Sequence, residues 1–385
     1  MSPRRRFRRT GINSMWGHMV FDQMVPQNHF MRALRNLFDW EALGEGLIDL
    51  YKGRGQKGSP PYDPSIMLRM LFLGYLYGVS GRGLERLVND SISAHFFLGL
   101  AINELAPDHS CVSDFTGRLA SAARHDLVQA IFDGLLRQGM AHGLDFGGIQ
   151  LLDAVHTEAD VNAEKEKTRV KQGKPPRDAS ARLVHKGKRK VVKPNGTTVE
   201  EEVTYMGYKT HVSMDAKTRV ITSLLPSWGN SADNKAFPDL FVHDLALGLP
   251  THTYGGDKAY DDTDIFERIE QHGMHVGIKL RRTRTQKKDP NKERWIALKQ
   301  TGHYQTAVKV RSRVEQPFGQ AKDKHGFERC RYLGLAKYRI QAFMTFMVVN
   351  AKRMVKLLTG ITFRELAKGV RKEVYKPVYA TPPWA

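Results

Sequence analysis

Apolar residues recur at helical spacing from residue 27 to about 142, and near Gly147 the repeat shortens to about 2, the period of a strand with one buried face. Asp63-Pro64 makes a helix start, an N-cap carboxylate followed by proline at the first helical position. The segment after it, SIMLRMLFLGYLYGV, is apolar on most faces, so a buried helix is expected there. GRGLERLVNDSISAHFFLGL and, beyond Pro107-Asp108, SCVSDFTGRLASAARHDLVQAIFDGLLRQGM continue the helices. The expected product is a bundle with room for a helix-turn-helix, a plain packing domain being the alternative.

Beyond Gly147, GIQLLDAVHTEADV reads as a strand. Residues 163–200 are charged and turn-rich with no apolar period, which predicts a mobile insertion. VTYMGYKTHVSMD and RVITSLLPSW then read as a hairpin turned at Asp215-Ala216-Lys217. A helix through KAFPDLFVHDLALGL, a short strand at THTYGGD, a helix capped at Asp261 or Asp262, and a strand at HVGIKL follow. After a basic segment, 281–305, come RSRVEQPFGQAK at 311–322 and a long helix over 335–358. The apolar run of that helix, AFMTFMVVNA, contains Thr345 and Asn350 and falls short of the roughly 20 residues that span a bilayer, so it is expected to be buried. Strand, strand, strand, helix, strand, helix, strand, helix predicts an α/β fold: a ribonuclease H-like mixed-sheet core preceded by an all-helical N-terminal domain. On this pattern the chain divides into a basic arm (1–26), a helical domain (27–142), a core (147–334) with a basic insertion (163–200), and a C-terminal helix and tail (335–385).

Charge adds a partner. Among 385 residues, 60 Lys and Arg face 40 Asp and Glu, a net charge of +20, and a surface so basic is matched most simply by nucleic acid. The cations are clustered at Arg4, Arg5, Arg6, Arg8 and Arg9, at Lys186, Lys188, Arg189 and Lys190, and at Lys279, Arg281, Arg282, Arg284, Lys287 and Lys288. Such blocks predict phosphate contacts or flexible arms. Two cysteines, Cys111 and Cys330, lie outside any C-x-x-C, so neither a disulfide framework nor a cysteine zinc site is expected, and a reducing cytosol suits the chain. TGINSMWGHM is not an apolar signal-peptide core, and no Gly-x4-Gly-Lys-Ser/Thr is present to support an ATP-driven motor.

Three acids stand out against this basic background. Asp153 follows the apolar run 149–152, and its bland reading is a turn former or cap. Asp257 follows Gly255-Gly256, which allow close approach to the backbone; Asp261 and Asp262 are better placed than Asp257 to cap the next helix. Glu315 lies on a helical segment with Arg311 before it and Lys322 after it, and its bland reading is a solvated ion pair. The expected strand order makes the first and fourth strands neighbours, so Asp153 and Asp257 converge. Carboxylates brought together repel unless cations sit between them, and oxygen ligands without cysteine select Mg²⁺ or Mn²⁺. Two such ions would support cleavage and transfer of a phosphodiester. Pro317 fits only the first turn of its helix, which sets the start near Arg313. Lys209 and His211 alternate on the second strand and are candidates to face the acids, His211 also reading as a satisfied strand histidine. Trp228 reads as buried, with stacking on an unpaired base as the alternative.

LLDAVHTEAD, GYKTHVSMD, GGDKAYDD and RSRVEQPFGQAK together resemble the DDE transposases of bacterial insertion sequences, in the superfamily grouping insertion sequences four and five. That family's third motif reads Tyr, two residues, Arg, three residues, Glu, six residues, Lys. Arg311, Glu315 and Lys322 match it, and Val308 stands at the tyrosine position. Asp257-Lys258-Ala259-Tyr260 matches the second motif and Asp153 the first, while YDPSIMLRMLFLGYLYGVSGRGLERLV and PDHSCVSDF resemble the helical domain before the core. The likeness runs over about residues 30–355. It implies a DNA transposase with Asp153, Asp257 and Glu315 as catalytic metal ligands for two Mg²⁺ ions, Mn²⁺ substituting. It also implies binding of element ends and target DNA, a homodimer or larger synaptic complex, and a cytoplasmic, nucleoid-associated setting. Expected DNA contacts are Arg311, Lys322, Lys258, Lys209, Arg281, Arg282, Arg284, Arg4, Arg5 and Arg6. A nuclease that hydrolyses without joining, and a non-catalytic DNA-binding derivative, are the alternatives.

Overall fold

The computed structural model describes residues 7–11, 14–51, 59–121, 125–192, 196–286 and 289–363; Arg4, Arg5, Arg6, Lys287 and Lys288 lie outside them. The chain divides into two compact units, one reaching Arg118 and resuming at Thr359, the other running from Leu119 to Leu358.

The first unit is helical: α1 Met15–Met24, α2 Phe30–Leu37, α3 Trp40–Gly44, α4 Pro64–Leu76, α5 Gly81–Asn89, α6 Ile92–Leu98 and α7 His109–Leu119. Asp63 caps α4 through Ser65 N–H (2.8 Å), with Pro64 at the first position, and every residue of α4 is buried, as its apolar pattern predicts. Trp40 lies edge-on to Phe72 and Phe97 at the centre. Phe363 packs on Phe30 and Tyr77, returning the chain to this unit.

The second unit begins with α8 (His125–Ala141) and carries β1 Ile149–Glu158, α9 Ala163–Lys171, β2 Arg182–Val192, β3 Thr198–Asp215, β4 Ile221–Trp228 and α10 Asp233–Leu247. It continues through β5 Thr253–Gly256, α11 Thr263–Gln271, β6 His275–Ile278, α12 Lys292–Gln300, α13 Gly302–Val310, α14 Glu315–His325 and α15 Leu335–Thr359. α8 and α15 both belong to this unit, where Phe132 of α8 sits against Phe343 of α15.

The sheet runs β2-β3-β1-β5-β6, with β4 also on β3. β1 is antiparallel to β3 and parallel to β5, which is parallel to β6. This is a ribonuclease H-like mixed sheet. The insertion at 163–200 contains α9 and β2, and β2 pairs with the first half of the long β3. A strand written mostly in charged residues at the edge of a sheet carries no apolar period in its sequence, so hydropathy misses it. The basic segment 281–305 likewise contains α12 and the start of α13.

On one face, Leu152, Tyr254 and Ile278 of the sheet pack with Phe237 and Phe241 of α10 and Phe266 of α11. Buried Asp244 of α10 accepts hydrogen bonds from Ser213, Thr222, Ser223 and Tyr254, which ties that helix to three strands. On the other face lies α15, whose Tyr338 hydroxyl meets Thr210 (2.7 Å) and Thr157 (3.2 Å). Asn350 uses both ends of its amide on the backbone of Ile221, so the polar residue in the apolar run is a buried clamp. Among the described residues no helix is long and apolar enough to cross a membrane.

Glycines let α13 approach the parallel strands. A Cβ on Gly277 would lie 2.3 Å from Ala307 Cβ, and one on Gly255 would lie 3.2 Å from it. Gly277→Ala is therefore expected to cost about 1–3 kcal/mol in urea denaturation, with Ala307→Gly in the same chain restoring part of the loss. Unchanged stability of the single variant contradicts this close approach.

Candidate active site

Asp153 lies inside β1, not at its end, because β1 continues to Glu158 along β3. The parallel ladder with β5, however, stops at Leu152↔Gly256. Asp153 and Asp257 are thus the next residues on two adjacent parallel strands, where neighbouring chains run about 4.8 Å apart. This is the convergence the strand order predicts. Asp257 then caps a 3₁₀ turn, Lys258–Tyr260, its Oδ1 accepting from Ala259 N–H (2.8 Å). Asp153 Oδ1 accepts from Ala154 N–H at the same distance, 2.8 Å.

Burial pushes the Asp153 carboxyl up to about 6; the Ala154 N–H opposes this, Asp257 adds to it and the Arg311 guanidinium opposes it. Arg311 begins a 3₁₀ turn, Arg311–Val314, from which α14 starts at Glu315. Pro317 therefore falls in the first turn of α14, where it removes no helical hydrogen bond. Arg311 Nη2 stands 4.0 Å from Glu315 Oε1, and Glu315 is largely exposed. Arg311 thereby links the third acid to Asp153. Among the described residues no three His, Cys, Asp or Glu are arranged to hold a metal, so Glu315 is not gathered with the aspartates into one ligand set. The donor chemistry of Asp153 and Asp257 still fits a hard divalent cation. Both offer oxygen only, each has a single oxygen tied to the backbone, and the burial of Asp153 penalises a negative charge that a cation would neutralise.

Lys209 and His211 do not face Asp153. The register sets Val212 opposite Asp153 and His211 opposite Ala154, so the alternation of side chains sends Lys209 and His211 to the α10 face. There both meet Asp233, the first residue of α10, with Lys209 Nζ at 2.7 Å and His211 Nδ1 at 3.1 Å. Burial raises the Asp233 carboxyl, but these partners outweigh it and hold the group below its usual range. The expectation that Lys209 contacts DNA is corrected accordingly: it is buried in an ion pair. Asp233 went unnoticed in the sequence because NSADN reads as a loop with a cap.

The basic segment splits in the same way. Arg284 pairs with buried Asp261 (2.9 Å) and lies over the Trp295 ring, so it is committed to the fold rather than free for phosphate. Arg281 donates to the Lys258 carbonyl and braces the turn after Asp257, while its backbone N–H meets Asp261. Arg282 and Lys258 are exposed. Lys322, two turns beyond Glu315 on α14, shares its face by helical spacing. Trp228, expected to be buried, is the last residue of β4 and is 49% exposed.

Residues 149–351 match the family model described as Transposase DDE domain, and residues 19–118 match that described as Transposase domain (DUF772). Members of the DDE family use divalent metal ions and act on DNA. Among solved structures, the chain is similar to the piggyBac transposase in a cryo-EM structure of its synaptic complex with hairpin DNA. The identity is 9%, the match covers 89% of this chain and 75% of that chain, and the TM-score is 0.41.

A carboxyl whose folded value lies near 6 rather than the unfolded value near 3.9 weakens the native state as pH rises between the two. With divalent ions chelated, Asp153→Asn is expected to melt with the wild type at pH 4 and above it at pH 7.5. A difference in melting temperature that is the same at both pH values contradicts the burial cost assigned to Asp153.

Proposed function

This chain belongs to the DDE transposase family, and on that premise we propose that Asp153, Asp257 and Glu315 are its catalytic acids, cleaving DNA at element ends and joining the freed 3′-hydroxyl to target DNA. The observation that carries the proposal is the pairing of Asp153 with Asp257 at the end of the β1–β5 ladder, with Arg311 between Glu315 and Asp153. In this reading the three carboxylates hold two Mg²⁺ ions, with Mn²⁺ as substitute. When bound, such ions lower the pKa of water and stabilise charge on the scissile phosphate.

The chain's own residues do the rest. Asp153 is held by its buried strand, so the ligand set is oriented before substrate arrives. Asp257 is fixed by its cap to Ala259, and Arg281 braces that turn from behind. Arg311 offsets the repulsion among the acids while no cation does. Lys258, Arg282 and Lys322 are the cations best placed to take up DNA phosphates, with Arg4, Arg5 and Arg6 adding contacts from outside the described residues. A homodimer gives each of two ends one site.

The experiment is incubation of the chain with labelled candidate ends, a plasmid target and Mg²⁺, followed by mapping of 3′ ends. Labelled ends joined to the plasmid are expected. Cleavage without joining favours the nuclease reading, and no cleavage of any substrate overturns both.

Two substitutions refine the assignment. Asp257→Asn and Glu315→Gln should each abolish cleavage and leave DNA binding in gel shifts intact, since the basic surface is kept; a variant that cleaves at the wild-type rate removes that residue from the site. Lys322→Ala tests a phosphate contact against a surface ion pair worth about 0–1 kcal/mol. Strand transfer should slow without rescue by added Mg²⁺ and with little change in melting temperature; wild-type transfer in physiological salt contradicts the contact.

A further inference from the structure

The turn between β3 and β4 holds a residue in a conformation it disfavours. Arg219 lies at φ +59°, in the left-handed region where a side chain crowds its own backbone, and among the described residues it is the single non-glycine there. Buried Asp215 supplies the restraint. Its Oδ2 accepts from the N–H and the hydroxyl of Thr218, both at 2.7 Å, and its Oδ1 accepts from Gly147 N–H (2.9 Å). Its carbonyl accepts from Arg219 N–H (2.8 Å). A strained residue held this firmly points to a use for the side chain it presents.

Three guanidinium groups gather on this turn. Arg219 itself donates to Oε1 of Gln316, the residue after Glu315. From the 3₁₀ turn before α14, Arg313 Nη1 donates to the Ala216 carbonyl (2.9 Å), and from α15 Arg353 Nε donates to the Thr218 carbonyl (2.7 Å). Each partner is a neutral oxygen that orients the guanidinium without cancelling its charge. Among the described residues no carboxylate forms an ion pair with any of the three, whereas neighbouring Lys217 is paired with Asp145. Arg219 and Arg353 are half-buried and Arg313 is exposed. A guanidinium carries five N–H donors, so one bond to the fold leaves most of each fork for a ligand.

We propose that Arg219, Arg313 and Arg353 form a phosphate clamp at the β3–β4 turn, gripping the DNA backbone beside the end of α14 that carries Glu315. Planar forks already oriented by neutral oxygens match the paired oxygens of a phosphodiester, and the phosphate supplies the anion that the turn lacks. Arg313 and Gln316 flank Glu315 in sequence, so a backbone held here lies alongside the third acid. Contacts of this kind fix the register of DNA on the protein rather than read its bases. The inference deepens the proposed function and rests on the chain acting on DNA, not on which acids hold metal.

The test is binding of the full chain to a labelled random-sequence duplex and to a labelled candidate end across a series of salt concentrations. Divalent ions are chelated, so the metal ligands do not enter. Each phosphate contact contributes about −0.9 to the slope of log K against log salt. Arg313→Gln and Arg353→Gln can still donate to their carbonyls, and each should flatten the slope by about 0.9. Arg219→Gly should flatten it equally while the melting temperature holds or rises, since glycine accepts the left-handed backbone. An arginine with a structural role alone would lower the melting temperature and leave the slope as it was. Lys217→Gln, on the same turn but already paired, should leave the slope unchanged. Flattening on both duplexes places the clamp on target and end alike, and flattening on the candidate end alone places it on the end; either supports the proposal. Wild-type slopes in the three arginine variants, or equal flattening by Lys217→Gln, overturn it. A wild-type chain that binds neither duplex instead overturns the DNA reading on which the proposal rests.

Discussion

The parallel ladder between β1 and β5 is the constraint on which the rest depends. Its register, Leu152 against Gly256, brings two acids far apart in sequence side by side just past the end of that ladder through backbone hydrogen bonds, whose geometry tolerates no slip. Juxtaposed carboxylates oppose their own convergence, and burial of Asp153 opposes it further. The ladder must therefore be held from outside. Ala307 of α13 presses on Gly255 and Gly277, the α10 and α11 aromatics fill one face, and α15 covers the other. The stability of these layers offsets the electrostatic cost at the strand ends, a pattern common where function sets the arrangement of charge.

The two faces of the sheet divide the labour. The α10 face carries Asp244 among four hydroxyl donors and Asp233 between Lys209 and His211, polar groups satisfied inside the fold. On α14, beside the 3₁₀ turn of Arg311, Glu315 stays exposed, with the Arg311 guanidinium 4.0 Å away. A rigid acid pair beside an exposed third acid suits a site in which DNA and cations arrive together, since the last ligand need not be buried beforehand.

Much of this was legible in the chain. Alternation marked β1, β3 and β4, and the order of elements marked the sheet, because a strand with a buried face must repeat every second residue. Asp153 stood out as an acid after an apolar run and Asp257 as one after Gly255-Gly256, both where parallel strands deliver side chains to a common edge. β2 was not legible, since its run of charged residues at the sheet edge carries no apolar period. Lys209 and Arg284 looked like cations for DNA because sequence shows charge but not partners, and their partners, Asp233 and Asp261, lie 24 and 23 residues away. The one signal for Asp233 was its position at the start of an apolar helix, which reads equally as a cap.

The central claim is that Asp153, Asp257 and Glu315 hold the same divalent ions. Iron(II) loaded into the protein with ascorbate and peroxide generates hydroxyl radicals that cut the backbone within a few ångströms of bound metal. In the presence of DNA ends, cuts near residues 153, 257 and 315 together, all suppressed by excess Mg²⁺, are the predicted result. Cuts near 153 and 257 with residue 315 untouched, or cuts elsewhere in the chain, contradict it.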